Sequence, residues 1–113
     1  MPASAVDILT VGLTASGTVT QFQPMQASGA NATAAGNAIG FARLGGVSGD
    51  RIPTTVLGTS VAIAGAAIAA GALVEVHTTV TQVVTKSAGV AIGRALTAAA
   101  QAGDQIEILV LPQ

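Results

Sequence analysis

Cysteine is absent from the 113-residue chain, and with it go disulfides, thiolate metal sites and cysteine nucleophiles. Tryptophan and tyrosine are absent as well, which leaves Phe22 and Phe41 as the only aromatic side chains. Charge is scarce. Arg43, Arg51, Lys86 and Arg94 stand against Asp7, Asp50, Glu75, Asp104 and Glu107, 8% of residues where a soluble domain carries about a quarter. A net charge of -1 offers no basic face to neutralise phosphates, so nucleic acid is not an expected partner. Disorder is excluded too, because it requires low hydrophobicity and high net charge.

What is present is apolar and small. Half of the residues are hydrophobic, and Ala, Val, Ile and Leu supply nearly all of them. At roughly 25 cal/mol per Å² of buried apolar area, alanine contributes far less than phenylalanine or leucine. A single domain of this size and composition is therefore expected to be marginal alone and to gain burial from partners. Low charge points the same way: much of the outer surface is expected to be interface.

A bilayer is the competing explanation, since the run from Ile52 to Val74 carries no charge. That run is interrupted by Pro53, Gly58, Gly65 and Gly71, is otherwise rich in Ala and Thr, and lacks flanking aromatic or basic anchors. No membrane association is expected. The N-terminus shows no basic region ahead of an apolar run, and Asp7 interrupts it.

Alternation of apolar and polar residues predicts strands at Thr18–Gln23, Val74–Thr78 and Ile106–Leu111. Further strands are expected at Val6–Leu13, Ala38–Arg43, Thr54–Leu57, Val61–Ala64, Val80–Thr85 and Val90–Leu96. The fold class expected is all-β, a β-rich small barrel or sandwich with one or two short Ala-rich helical turns. Residues 1–20 are expected to form an N-terminal arm or first strand, and 21–113 a single compact β-rich domain.

A pattern of small residues, Gly and then Ile or Val recurs at Ala32–Ile39, Gly45–Ile52, Ala67–Val74 and Ala99–Ile106. Each copy stops a short turn on a Gly able to take positive φ and then enters a strand. Two copies share a wider frame. Ala38-Ile39-Gly40-Phe41-Ala42 leads to Gly49-Asp50-Arg51-Ile52, and Ala91-Ile92-Gly93-Arg94-Ala95 leads to Gly103-Asp104-Gln105-Ile106, one residue further on.

Catalytic constellations are missing. A serine triad needs a base oriented by a carboxylate, and His77 is the only histidine. His77 alternates with Glu75 on a predicted strand, where the pair reads as solvated surface or subunit contact. Gly103-Asp104 reads as turn chemistry, and Glu107 as an outward strand residue. Gly45-Gly46-Val47-Ser48-Gly49 lacks the Lys-Ser/Thr of a phosphate loop. Asp50, Asp104 and Glu107 are too dispersed for a carboxylate metal site. No enzyme activity, catalytic residue, cofactor or metal is expected.

The closing stretch from Ala88 to Val110, a "Gly-x-Ala" strand at Gly93–Ala95, an Ala-rich turn, Gly103-Asp104 and a final alternating strand, resembles the capsid cement, or head decoration, proteins of tailed bacteriophages. The earlier Ala67–Val74 turn and strand is similar as well, so the resemblance spans Asn37 to Leu111. Two departures stand out: Ala72 occupies a position that is commonly acidic in that family, and Met1–Gly36 has no matching motif. The resemblance implies a β-rich body, usually a homotrimer, seated on the outer surface of the virion capsid and bound to the major capsid protein. It implies no catalytic residue.

Under that reading, Val6, Asp7, Ile8, Leu9 and Thr10 are candidate capsid contacts, as an arm that adds to a sheet edge of the shell. The alternative for them is an ordinary first strand. Arg43, Arg51 and Arg94 are candidate polar contacts to a sister subunit or the shell; within the chain, Arg51 is expected near Asp50, and Arg94 near Asp104 or Glu107. The alternative function is a carbohydrate- or cell-surface-binding module of a tail fibre or adhesin, against which the lack of aromatics counts, because such modules stack sugars on aromatic rings.

Overall fold

The computed structural model describes residues 5–111, so residues 1–4 of the expected arm and the last two residues of the expected domain lie outside it. Eight strands and no helix occur among the described residues, which makes the fold all-β. They are β1 (Asp7–Thr14), β2 (Pro24–Met25), β3 (Gly40–Ala42), β4 (Arg51–Ile63), β5 (Leu73–Val76), β6 (Val83–Thr85), β7 (Gly93–Ala95) and β8 (Gln105–Val110).

β4 organises the molecule. Its first half pairs with β1 and β3, both antiparallel, and its second half pairs with β8. The sheet continues β8-β7-β5-β6. It then curls back on itself: Val83 bridges to Ala64 just beyond β4, and the Gly65 N–H donates to the Val83 carbonyl at 2.7 Å. That closes a barrel almost completely and leaves few unpaired edges. Where Leu9 lies opposite Leu57 the register of β1 on β4 slips on both sides, and Gly58 with φ 104° absorbs the irregularity.

The two halves of the chain are built on one frame. Ala15 donates to the Asp50 carbonyl and accepts from the Gly49 N–H; Ala64 makes the same two bonds with Asp104 and Gly103. Leu13 pairs with Ile52 as Ala62 pairs with Ile106. Ala42 pairs with Thr54 as Ala95 pairs with Ile108, and Met25 with Gly40 as Val74 with Gly93. Ser16 donates to the Gly29 carbonyl where Gly65 donates to Val83. So β4 is the last strand of the first unit and, without a break, the first strand of the second. The wider frame read from the sequence is this duplication.

The shorter Gly pattern marks turns. Gly49, Gly71 and Gly103 have φ of 93°, 90° and 91° and sit third in turns closed by the next residue's N–H. The Ala32–Ile39 copy differs, because Ala35 (φ 56°) takes that position and Gly36 closes the turn. The Ala-rich segments are such turns rather than helical ones. Ala69–Ala72 is closed by a single 3.2 Å bond, and neighbouring Ile68 is already engaged with Ala99 in a β-bridge.

Thr18–Gln23 is the one predicted strand that fails. Gln23 donates back to the Thr20 carbonyl, its side chain accepts the Thr20 N–H, and Phe22 adopts φ 72°. The alternation there is real, but a turn uses it.

The core is as thin as the composition requires. One cluster gathers Ala, Val and Ile of the second half with Ala32, Ala38 and Phe41 of the first. Those three seat one unit on the other. A smaller cluster, Ala15, Val19, Met25, Ala42 and Ile52, fills the first unit.

Candidate docking surfaces

The five residues singled out at the N-terminus meet β1 or its threshold. Asp7–Thr14 is a strand of the body's own sheet, held along β4, and Val6 exchanges bonds with Thr59: its N–H donates to the Thr59 hydroxyl at 2.8 Å and its carbonyl accepts the Thr59 N–H at 2.9 Å. β4 is the only strand paired with β1 among the described residues. Its outer side is therefore open. Ile8 is 73% exposed, Val6 65% and Leu9 49%, and the partly exposed Leu57 lies directly opposite Leu9. Asp7 and Thr10 are tied internally, since the Asp7 carboxylate accepts from the Thr10 hydroxyl and from Arg43.

That last contact joins two of the predicted sets. Arg43 Nη1 lies 3.0 Å from Asp7 Oδ2, with both side chains partly exposed. The pair links the loop after β3 to β1, and exposed pairs of this kind contribute only about 0–1 kcal/mol. Arg51 turns away from Asp50 and donates to the Thr14 hydroxyl, its side chain lying over Gly12. Arg94 reaches neither Asp104 nor Glu107. It donates to the Gly71 carbonyl at 2.7 Å because β7 sets it beside Leu73, next to the turn. The acid of each Gly-Asp pair serves its own turn: Asp50 accepts the Val47 N–H, and Asp104 accepts those of Ala100 and Gln101.

Glu75 and His77 are each engaged by neighbouring backbone. Glu75, only 9% exposed, accepts the N–H groups of Ser87 at 2.7 Å and Gly89 at 3.0 Å. Those two backbone bonds, with help from Lys86, hold its carboxyl below the usual range against the opposing effect of burial. His77 Nδ1 accepts the Thr79 N–H and its ring packs over Gly65. Among the described residues no three His, Cys, Asp or Glu side chains gather as a metal site would need, and no helix is long and apolar enough to cross a membrane.

A pH dependence follows. The loop held by Glu75 carries Val90, which donates to Ala35 of the other unit. A carboxylate with a depressed folded pKa contributes stability above its unfolded value of about 4.3, and that contribution disappears as pH falls through the folded one. Thermal melts on either side of pH 4 are expected to show a loss of Tm on acidification that Glu75→Gln reduces, the variant also starting lower at pH 7. Equal acid sensitivity in both proteins would contradict this.

Sequence reasoning passed over one group of exposed side chains. Leu44 and Val47 are 56% and 59% exposed in the loop between β3 and β4. The loop stacks on the turn that carries Phe22, since Val19 and Gly46 exchange backbone bonds and Gln21 Nε2 donates to the Arg43 carbonyl. Two branched apolar residues inside a Gly-rich loop were the available signal.

The described surface thus carries an exposed apolar strip along β1 and an exposed apolar loop between β3 and β4. The family model for phage cement proteins matches residues 3–111. This chain belongs to the phage cement protein family. The match covers the N-terminal third, for which the sequence showed no recognisable motif, as well as the stretch that did. Among curated proteins none matches the chain. As a cement protein it is a structural capsid component of the virion, in a family that is structural rather than enzymatic.

Proposed function

We propose that this cement protein binds the outer surface of the assembled capsid, as a homotrimer, and stabilises it by bridging neighbouring copies of the major capsid protein. The family match over nearly the whole chain carries this reading. Sparse charge, small core side chains and the open face of β1 support it. Three docking contacts on one trimer act together, so each is weak alone while the whole attaches firmly. Work that separates shell subunits must then also break cement contacts.

Val6, Asp7, Ile8, Leu9 and Thr10 are proposed capsid contacts, presented by β1 as part of the body rather than by a free arm. Arg43, Arg51 and Arg94 each show one bond within the chain and have further N–H donors for acidic groups of a sister subunit or the shell. The carbohydrate-binding alternative weakens further, because Phe41 is wholly buried and only Phe22 is left to stack on a sugar.

Purified protein mixed with capsids that lack it is expected to co-sediment saturably, at a fixed ratio to the shell subunit. Free in solution it is expected to sediment at three times the 10.9 kDa chain mass. Binding to glycans or cells without binding to capsids would overturn the reading.

A further inference from the structure

The duplicated frame sets a loop cluster at each end of β4, and the two clusters differ in chemistry. At the start of β4 the turn Thr20–Gln23 stacks on the loop Arg43–Asp50; beyond its end the turn Ala69–Ala72 stacks on the loop Leu96–Asp104. Position by position they correspond. Phe22 donates to the Ala42 carbonyl as Gly71 donates to Ala95, Arg43 to Pro53 as Leu96 to Glu107, and Asp50 and Asp104 cap their turns alike.

At the first end the frame carries Phe22, Leu44 and Val47. At the second the matching residues are Gly71, Thr97 and Gln101, with exposed Ala98, Ala100 and Ala102 around them and Leu96 as the one large exposed apolar side chain. Phe22 is the telling residue. The turn demands positive φ, Gly71 supplies it without strain, and a bulky side chain at φ 72° does not. Strain of this kind, held in one of only two aromatics and left half-exposed, marks a side chain kept for what it touches.

We propose that the Phe22–Leu44–Val47 end is the end that seats on the shell, meeting an apolar patch of the major capsid protein, while the Ala-rich end faces solvent. The proposal rests on the cement reading. It commits to the shell rather than a sister copy because one apolar end and one bland end, on an otherwise repeated body, is the polarity that a protein seated on a surface needs. The Arg43–Asp7 pair makes this end continuous with the exposed strip of β1.

The test compares binding of the full chain and three variants to capsids that lack the protein. Phe22→Gly relieves the backbone and Val47→Asp places a charge in an exposed loop; both are expected to keep the wild-type circular dichroism spectrum and to bind at least about tenfold more weakly. Ala98→Asp, the matching charge at the other end, is expected to bind within about twofold of wild type. If both first-end variants bind like wild type, the proposal falls and the cement reading stands. If they change the sedimenting mass of the free protein instead, the end is a contact between sister copies and the proposal falls. If the wild type itself does not bind, both readings fall.

Discussion

Phe41→Ala is expected to cost about 3–5 kcal/mol, the usual penalty for truncating a buried aromatic. Phe41 is fully buried on β3, between Pro24 of β2 and Thr55 of β4, and it belongs to the cluster formed mainly by second-half residues. Removing it opens a cavity where the two units meet, among alanines and valines too short to fill it. A domain of this size holds about 5–15 kcal/mol in total, and each kcal/mol moves Tm by roughly 4 °C, so a fall on the order of 15 °C is expected by calorimetry. A fall of only two or three degrees would mean that the units hold together without this contact. The position matching Phe41 in the second unit is Arg94, which is exposed; the asymmetry follows from β3 being buried on both faces while β7 is buried on one.

Gly40→Ala is expected to be comparably severe, for a different reason. A Cβ at Gly40 would lie 2.1 Å from the Thr55 carbonyl oxygen, and 3.0 Å from Val56 Cγ1. The first obstacle is backbone of the central strand, so relief requires β3 and β4 to move apart. The cost is expected above the ~1–3 kcal/mol typical of overpacking, enough to lower soluble yield as well as Tm. The matching glycine supplies the control. At Gly93 a Cβ would meet Ile108 Cδ1 and the Leu109 carbonyl oxygen, each at 3.1 Å, and the isoleucine tip can shift. Gly93→Ala is therefore expected to cost about 1 kcal/mol. Equal losses of Tm in the two variants would contradict the packing described here.

How far the sequence made this fold legible depends on what kind of information each element needed. A strand with an apolar face toward the core announces itself, as in Gln105–Val110, because burial on one face writes a period of two; Asp7–Thr14 is apolar enough to read as a strand although none of its residues is fully buried. β4 was read as two strands separated by Gly58-Thr59-Ser60, since a glycine in a strand looks like a stop. Here it is a bulge inside one continuous strand. β2, two residues long, has no period to show. The duplication was visible only in part, through Gly40 and Gly93 and the two Gly-Asp turns. Elsewhere the frame keeps the backbone role and changes the side chain, as at Phe22 against Gly71 or Leu13 against Ala62.

The same limit governs the candidate surfaces. The chemistry of β1 and its threshold is legible residue by residue, and the exposed strip there contains Val6, Ile8 and Leu9. The partner of Arg94 within the chain differs from the expected Asp104 or Glu107 because the choice between them and the Gly71 carbonyl depends on which strands are neighbours, and β7 lies between β5 and β8. Glu75 read as surface because period two sets it beside His77 on one face. The loop that folds over it, and makes its carboxylate a clamp, comes from twelve residues further on.

If this protein strengthens a shell as proposed, heating DNA-filled capsids with and without it shows the effect most directly. Dye access to released DNA is expected to begin at a clearly higher temperature once the capsids are saturated with the protein, and to return to the bare-capsid value when the protein is stripped. Identical release temperatures at saturation would contradict the account.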